Sequence, residues 1–442
     1  MKKIRFILVS ALSALTLASC SLFNDNDIKI ENHFKDKEAA SQETPPEATA
    51  GGVGSTTITI GTTETLVFKN VIYSNKEEDG VKKIKNTYKK AAPYNFKFDI
   101  NGAEDYAVNK ENNNFDMYVP KGLDKSQDQT VALFIHGGAW VSGMKTHVNP
   151  YIKEFAKRGY ISVTPEYTLL NRDFNNKRTD LSVFRDLDEI DACITTIKSS
   201  LVELGFTGTL SLMIGGASSG AHLAMLYAYS RGSESDMPIK FIVNAVGPTD
   251  IKEDVWKAFN YSESEEEAYK EAVHDGIDSE TIKAKKLAGR LRALPVSGED
   301  YNWTQFQTMK IANGMCGFQF DPEDVEAAAA DSSHNTVNPL TDVYAKMIGD
   351  PVSGEDLLSV TYYLATSSKI PMICAYGGMD SVIGIAQYAN LEDAFKSKSY
   401  VKDTDYCFFY FESSGHVNLD KVEEQETYNA FINKITLWLG TK

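Results

Sequence analysis

The run Leu210-Ser211-Leu212-Met213-Ile214 is short and apolar, and it passes without a break into Gly215-Gly216-Ala217-Ser218-Ser219-Gly220-Ala221-His222-Leu223-Ala224. Few folds accommodate such a junction. The apolar run reads as a buried strand, and Ala221 to Ala228 reads as a helix. Between them stands G-x-S-x-G, with Ser218 at its centre. Small residues two positions to either side let strand and helix approach closely across a sharp turn. A serine at the tip of that turn is presented to solvent beside the positive end of a helix. The bland alternatives are a tight turn or a phosphate-binding loop. No Lys follows as in G-x-x-x-x-G-K-[ST], so a P-loop is excluded.

Acyl transfer by a serine needs a base, a group that orients the base, and donors for the oxyanion. The chain offers each in a suitable place. His136-Gly137-Gly138-Ala139-Trp140 follows the apolar run Val131 to Ile135. Asp380, in Tyr376-Gly377-Gly378-Met379-Asp380, follows the run Ile370 to Ala375. His416, in Ser413-Ser414-Gly415-His416, follows the strand-like Tyr406 to Phe411. Asp380 and His416 are 36 positions apart, room for one helix and one strand, so their loops are expected side by side. Ser219 rivals Ser218 but is off the centre of the motif. Glu412 and Asp420 rival Asp380 but lie too near His416 in sequence to come from a neighbouring strand. Among the seven histidines, His33 falls in the polar tether, and His147, His274 and His334 carry no motif. His136 belongs to the glycine loop, and His222 is expected to pack on the helix after Ser218.

The order Ser218, Asp380, His416 is the chain order of α/β-hydrolase triads. With the glycine loop it gives a plain resemblance. Residues 93–442 resemble an α/β-hydrolase of the esterase group, similar to hormone-sensitive-lipase-like carboxylesterases and to carbohydrate esterases. The resemblance implies a mostly parallel sheet with helices on both faces. It also implies Ser218 as nucleophile, His416 as base and Asp380 as its orienting acid. The oxyanion donors would be the backbone N–H groups of Gly138, Ala139 and Ser219. Ala139 stands where the family usually has a third glycine; a backbone donor survives that change. Trp140 matches an aromatic position of HGG[AY]W variants. No cofactor or metal is implied.

Strand-like and helix-like segments alternate from about residue 93 onward, as a parallel sheet requires. Residues 251–360 interrupt the pattern. They are rich in acidic residues and helix formers and read as a cap-like insertion. Residues 57–92 contain the strand-like pieces Thr57 to Ile60 and Thr65 to Phe68, to which no function attaches.

The N-terminus points to the cell envelope. Lys2, Lys3 and Arg5 precede an apolar stretch, Ile7 to Leu17, that is too short for a durable membrane span. Leu17-Ala18-Ser19-Cys20 resembles the lipobox of bacterial lipoproteins. The resemblance implies removal of signal peptide 1–19, lipidation of Cys20, and a lipid-anchored protein of the outer membrane on either face. Residues 20–56 read as a polar, flexible tether. The chain's net charge is −16, and loss of residues 1–19 removes three basic and no acidic residues, taking it to −19. That balance excludes nucleic acid as a natural partner and leaves a small-molecule or glycan ester as the expected one. Cys193, Cys316, Cys374 and Cys407 show no metal-ligand spacing and are expected to be buried small hydrophobes rather than disulfide partners. Two other functional classes stay open: a serine peptidase of the same fold, and an inert binding protein on a hydrolase scaffold. Lipase or polyester cleavage is disfavoured by the acidic insertion.

Overall fold

The computed structural model describes residues 49–74, 113–170, 182–250, 315, 358–378, 380, 383, 386–416 and 419–441. The expectations for residues 1–19, Cys20, most of the tether, Cys316 and nearly all of the 251–360 insertion lie outside these residues.

Ten strands are described: β1 Thr49–Ala50, β2 Val53–Ile60, β3 Thr63–Ser74, β4 Asn113–Pro120, β5 Gln129–Ile135, β6 Ser162–Pro165, β7 Leu210–Ala217, β8 Ile239–Ala245, β9 Met372–Gly377 and β10 Tyr406–Phe411. They form one sheet in the order β1-β2-β3-β4-β6-β5-β7-β8-β9-β10. β1 to β4 pair antiparallel, as does β4 with β6; from β6 across β5, β7, β8 and β9 to β10 every pairing is parallel.

The parallel strands are continuous apolar runs because both of their faces are covered. In β5, Val131, Leu133 and Ile135 enter one core, while Ala132 and Phe134 enter the other. In β7, Leu212 and Ile214 face one way and Met213 the other. One core is closed by α2 (Val183–Glu203), α3 (Ser219–Arg231) and α5 (Ala386–Ser397); the other by α1 (Asn149–Lys157) and α6 (Gln425–Thr441). The start of α2 is fixed by Ser182, whose hydroxyl accepts the Arg185 N–H and satisfies one otherwise orphaned donor. A short helix, α4 (Val360–Thr366), precedes β9.

Two boundaries differ from the sequence reading. The tether expected over residues 20–56 ends earlier, because Thr49–Ala50 pairs with β2 and Ala50 is fully buried in the core. A polar sequence hid this, since only Ala50 and the partly buried Val53 reach the core there. The insertion expected to end at residue 360 gives way at Leu358, which is buried, and Val360 already opens α4.

The three described cysteines match their expected role. Cys193 and Cys374 are buried in one core and Cys407 in the other, on the opposite face of the sheet. Desolvation raises the Cys193 and Cys374 thiols well above their ordinary range, which suppresses thiolate chemistry.

Candidate active site

Three loops at the carboxyl ends of β7, β9 and β10 bring Ser218, Asp380 and His416 together, with β5 supplying a fourth loop beside them. β7 runs to Ala217, and α3 begins at Ser219. Ser218 between them has φ 53° and ψ −123°, a strained conformation for a non-glycine residue. The turn is held from both sides. The Ser218 N–H donates to Ala245 O at 2.9 Å, and the His222 N–H donates to Ser218 O at 3.1 Å. A Cβ on Gly216 would strike the Gly220 backbone, and one on Gly220 would strike the carbonyls of Ile135 and His136. Both glycines of the motif are therefore dictated by sterics.

His416 Nδ1 lies 2.8 Å from Asp380 Oδ2, and His416 Nε2 lies 2.8 Å from Ser218 Oγ. A carboxylate accepts hydrogen bonds and cannot donate them, so the Nδ1 proton points at Asp380 and leaves Nε2 as acceptor for the serine O–H. The second oxygen of Asp380 accepts the Ile383 N–H at 2.8 Å, which fixes the rotation of the carboxyl group. Ser218 and His416 each keep 7% exposure, while the Asp380 carboxyl behind them is fully buried. The His416 loop is tied down by Glu424, which accepts the Ser413 N–H at 2.5 Å, and by Lys421, whose ammonium donates to Ser413 O at 2.7 Å. Gly377 lets the Asp380 loop lie against Ser414 and Gly415, so the two loops touch.

The rivals are elsewhere. Ser219 is the first residue of α3, and its hydroxyl lies 3.4 Å from Tyr167 Oη rather than from the imidazole. His222 is buried on α3 and bonds Trp140 and Leu358. His136 is buried beneath the glycine loop, stacked on Tyr167 with ring centroids 4.4 Å apart.

The loop His136 to Gly143 has an unusual backbone. Gly138 has φ 134°, Ala139 φ 52° and Trp140 φ 62°. Among the described residues, no acceptor is found for the N–H groups of Gly138, Ala139 and Ser219. Gly137 packs against Ala217 O and the Ser218 Cβ, which sets this loop directly beside the serine.

Sequence reasoning missed the support beneath that loop. Glu166, just past β6, receives the Lys145 N–H at 3.1 Å on one oxygen, and its other oxygen lies 3.4 Å from His136 Nε2. Burial pushes the Glu166 carboxyl up, but His136 and Lys145 outweigh burial and hold it below the usual carboxylate range. Lys145 is itself buried, with its ammonium 2.7 Å from Asp116 Oδ1 and bonded to Asn70 and Asn114. No local pattern marks such a cluster, because its members come from β3, β4, the residue just past β6 and the segment between β5 and α1. Among the described residues, no group of His, Cys, Asp or Glu is arranged to hold a metal ion.

The BD-FAE family model, an α/β-hydrolase family, matches residues 115–292. The fold is that of the α/β-hydrolases. Among curated proteins, the chain is 26% identical over 201 residues to the non-reducing polyketide synthase Preu3 of Preussia isomera, covering 42% of this chain and 8% of that protein. It is 23% identical over 305 residues to the non-reducing polyketide synthase ausA of Aspergillus calidoustus, covering 64% of this chain and 12% of that one. This chain thus matches about a tenth of those relatives' length. Among solved structures it is similar to esterase B from Lactobacillus Rhamnosis (HN001), at 13% identity and TM-score 0.45 over 76% of this chain and 84% of that one. It is also similar to butyrate-bound Est2 of Thermogutta terrifontis, a thermophilic esterase, at 13% identity and TM-score 0.44 over 76% and 91% of the two chains.

Proposed function

We propose that this chain is a serine carboxylic-ester hydrolase acting through an acyl-enzyme. The observation that carries the reading is the unbroken relay from Asp380 through His416 to Ser218, two bonds of 2.8 Å each, ending on a serine held in a strained elbow. In this mechanism His416 Nε2 takes the Ser218 proton as Oγ attacks the ester carbonyl. The carbonyl π pair moves onto oxygen, which the N–H groups of Gly138, Ala139 and Ser219 stabilise. When the tetrahedral intermediate collapses, the acyl–oxygen bond breaks and His416 delivers its proton to the departing alcohol. Water then attacks the acyl-enzyme, again losing its proton to His416, and the acid leaves with Ser218 restored. Asp380 holds the imidazole in the required tautomer and stabilises the imidazolium.

The finer reading is short-chain or carbohydrate-linked acyl esters, acetyl or feruloyl. It is supported by the HGGAW-type loop, the acidic net charge and the lipobox-like Leu17 to Cys20, which also support an envelope lipoprotein anchored at Cys20. An inert scaffold would be expected to have lost a member of the relay, and none is missing. The test is hydrolysis of p-nitrophenyl acetate, butyrate and octanoate, followed by acetylated and feruloylated glycans. Short chains turned over with release of acetate or ferulate from glycan support the reading; failure on every ester by folded protein overturns it.

A further inference from the structure

His222 lies one helical turn beyond Ser218 and takes no part in the relay, yet it is fully buried and both of its ring nitrogens are engaged. Trp140 Nε1 is 3.3 Å from His222 Nδ1, and His222 Nε2 is 2.8 Å from the carbonyl oxygen of Leu358. An indole N–H only donates and a backbone carbonyl only accepts. The tautomer is therefore fixed: Nδ1 bears no proton, and Nε2–H donates to Leu358. The rings meet edge to face, with centroids 5.3 Å apart and planes at 89°. Only a neutral imidazole satisfies both partners, and burial favours it by pushing the pKa down to about 4.

The partners matter more than the bonds themselves. Trp140 directly follows Ala139, and the two are consecutive non-glycine residues in the left-handed region. Such a pair costs about 1–2 kcal/mol per residue and persists only where its surroundings hold it. Trp140 is held by its indole N–H on His222 and by its carbonyl, which accepts the Leu170 N–H at 2.8 Å. Leu358 opens the described stretch that leads into α4 and β9. Close by, the Val360 N–H donates to Thr249 O at 2.9 Å, and Gln387 accepts the N–H groups of Thr249 and Asp250.

We infer that His222 is a positioning residue: it clamps Trp140 so that the strained Gly138–Ala139 backbone keeps its N–H groups aimed at the oxyanion, and it ties that loop to the end of the insertion at Leu358. The inference rests on the serine-hydrolase reading above. It gives a second reason for the histidine in Ser218-Ser219-Gly220-Ala221-His222, beyond filling space on a helix.

The test is the second-order rate at which a fluorophosphonate modifies Ser218, with thermal melting measured alongside. The variants are His222→Phe, Trp140→Phe, the double variant and His222→Gln. Phosphonylation needs the relay and the oxyanion donors but no particular ester. Each Phe variant deletes the same hydrogen bond, so each slows modification roughly tenfold, and the double variant is no slower than the slower single one. Gln offers one acceptor and one donor and restores the rate to within about threefold. Equal rates in all variants, or losses that multiply in the double variant, overturn the inference even if melting falls. If His222→Phe does not fold, Trp140→Phe against wild type decides: an unchanged rate overturns it. Wild type that is folded but unmodified at Ser218 overturns the serine-hydrolase reading itself, and the clamp with it.

Discussion

Gly138→Ala is expected to cost catalysis far more than stability. Gly138 has φ 134°, and a Cβ built there would lie 2.5 Å from the Ser142 carbonyl carbon, closer still to its oxygen, and 3.0 Å from the Gly143 N–H nitrogen. Ordinary contact needs about 3.4 Å or more. These neighbours are backbone and have no rotamer through which to yield, so the loop itself must retreat by about 1 Å. Ser142 cannot swing away either, since its own N–H and hydroxyl both bond Gly138 O, at 3.0 and 2.8 Å. Misplacement of a reacting arrangement by about 1 Å costs on the order of a hundredfold, and loss of one oxyanion donor about 10²–10³ in turnover. We expect kcat on p-nitrophenyl acetate to fall by about 10²–10³ with KM little changed. Gly122→Ala is the matched control. It also has positive φ, 84°, but nothing lies within 4 Å of the added carbon. It should lose about 1–2 kcal/mol of stability through backbone strain alone and keep its turnover. A Gly138→Ala enzyme with kcat within threefold of wild type and an intact melt would refute the assignment of this loop as the oxyanion site.

Further outcomes follow from other parts of the site. Asp380→Asn keeps an acceptor for the Ile383 N–H but turns an amide donor toward His416 Nδ1, forcing the proton onto Nε2; kcat should drop about 10⁴-fold with the fold intact by circular dichroism. Lys145→Met removes the buried ammonium from Asp116 Oδ1 and leaves that carboxylate with the half-exposed Lys69 at 3.6 Å and the Asn70 N–H, so it should lower urea-unfolding free energy by about 1–3 kcal/mol. His222 is held down to about 4 from an ordinary 6.5, so the unfolded chain binds a proton across that window and the folded one does not. Stability contributed by neutral His222 is therefore complete above pH 6.5 and is lost as pH falls toward 4, by about 3 kcal/mol in total; His222→Gln should flatten that slope in denaturant melts. Cys20→Ala should move the protein from the detergent phase to the aqueous phase in a Triton X-114 partition of expressing cells.

The fold and the relay were legible in sequence for the same reason: each chemical residue follows an apolar strand. Parallel strands buried on both faces leave runs such as Val131 to Ile135 and Leu210 to Ile214, and residues at their carboxyl ends share one rim of the sheet. That rule, together with the G-x-S-x-G motif and the order Ser218, Asp380, His416, placed the three residues. What escaped lacks a local signature. Lys145 and Asp116 meet across 29 positions, and His222 and Leu358 across 136; periodicity says nothing about such pairs. Glu166 was the nearest to readable, as a charged residue set directly after a buried strand, where a purely structural position would favour an apolar one. Helix α4 went unseen because its sequence, Val360-Thr361-Tyr362-Tyr363-Leu364, favours strand as much as helix, and packing against α3 and α5 decides the outcome.

Whether Ser218 is the nucleophile is decided by the mass of the peptide carrying it after reaction with a fluorophosphonate, set beside p-nitrophenyl acetate turnover by wild type and by Ser218→Ala. A single adduct on Ser218 is expected, with turnover lost in the folded Ser218→Ala protein. An adduct on Ser219 instead, or undiminished hydrolysis by Ser218→Ala, would contradict that role for Ser218.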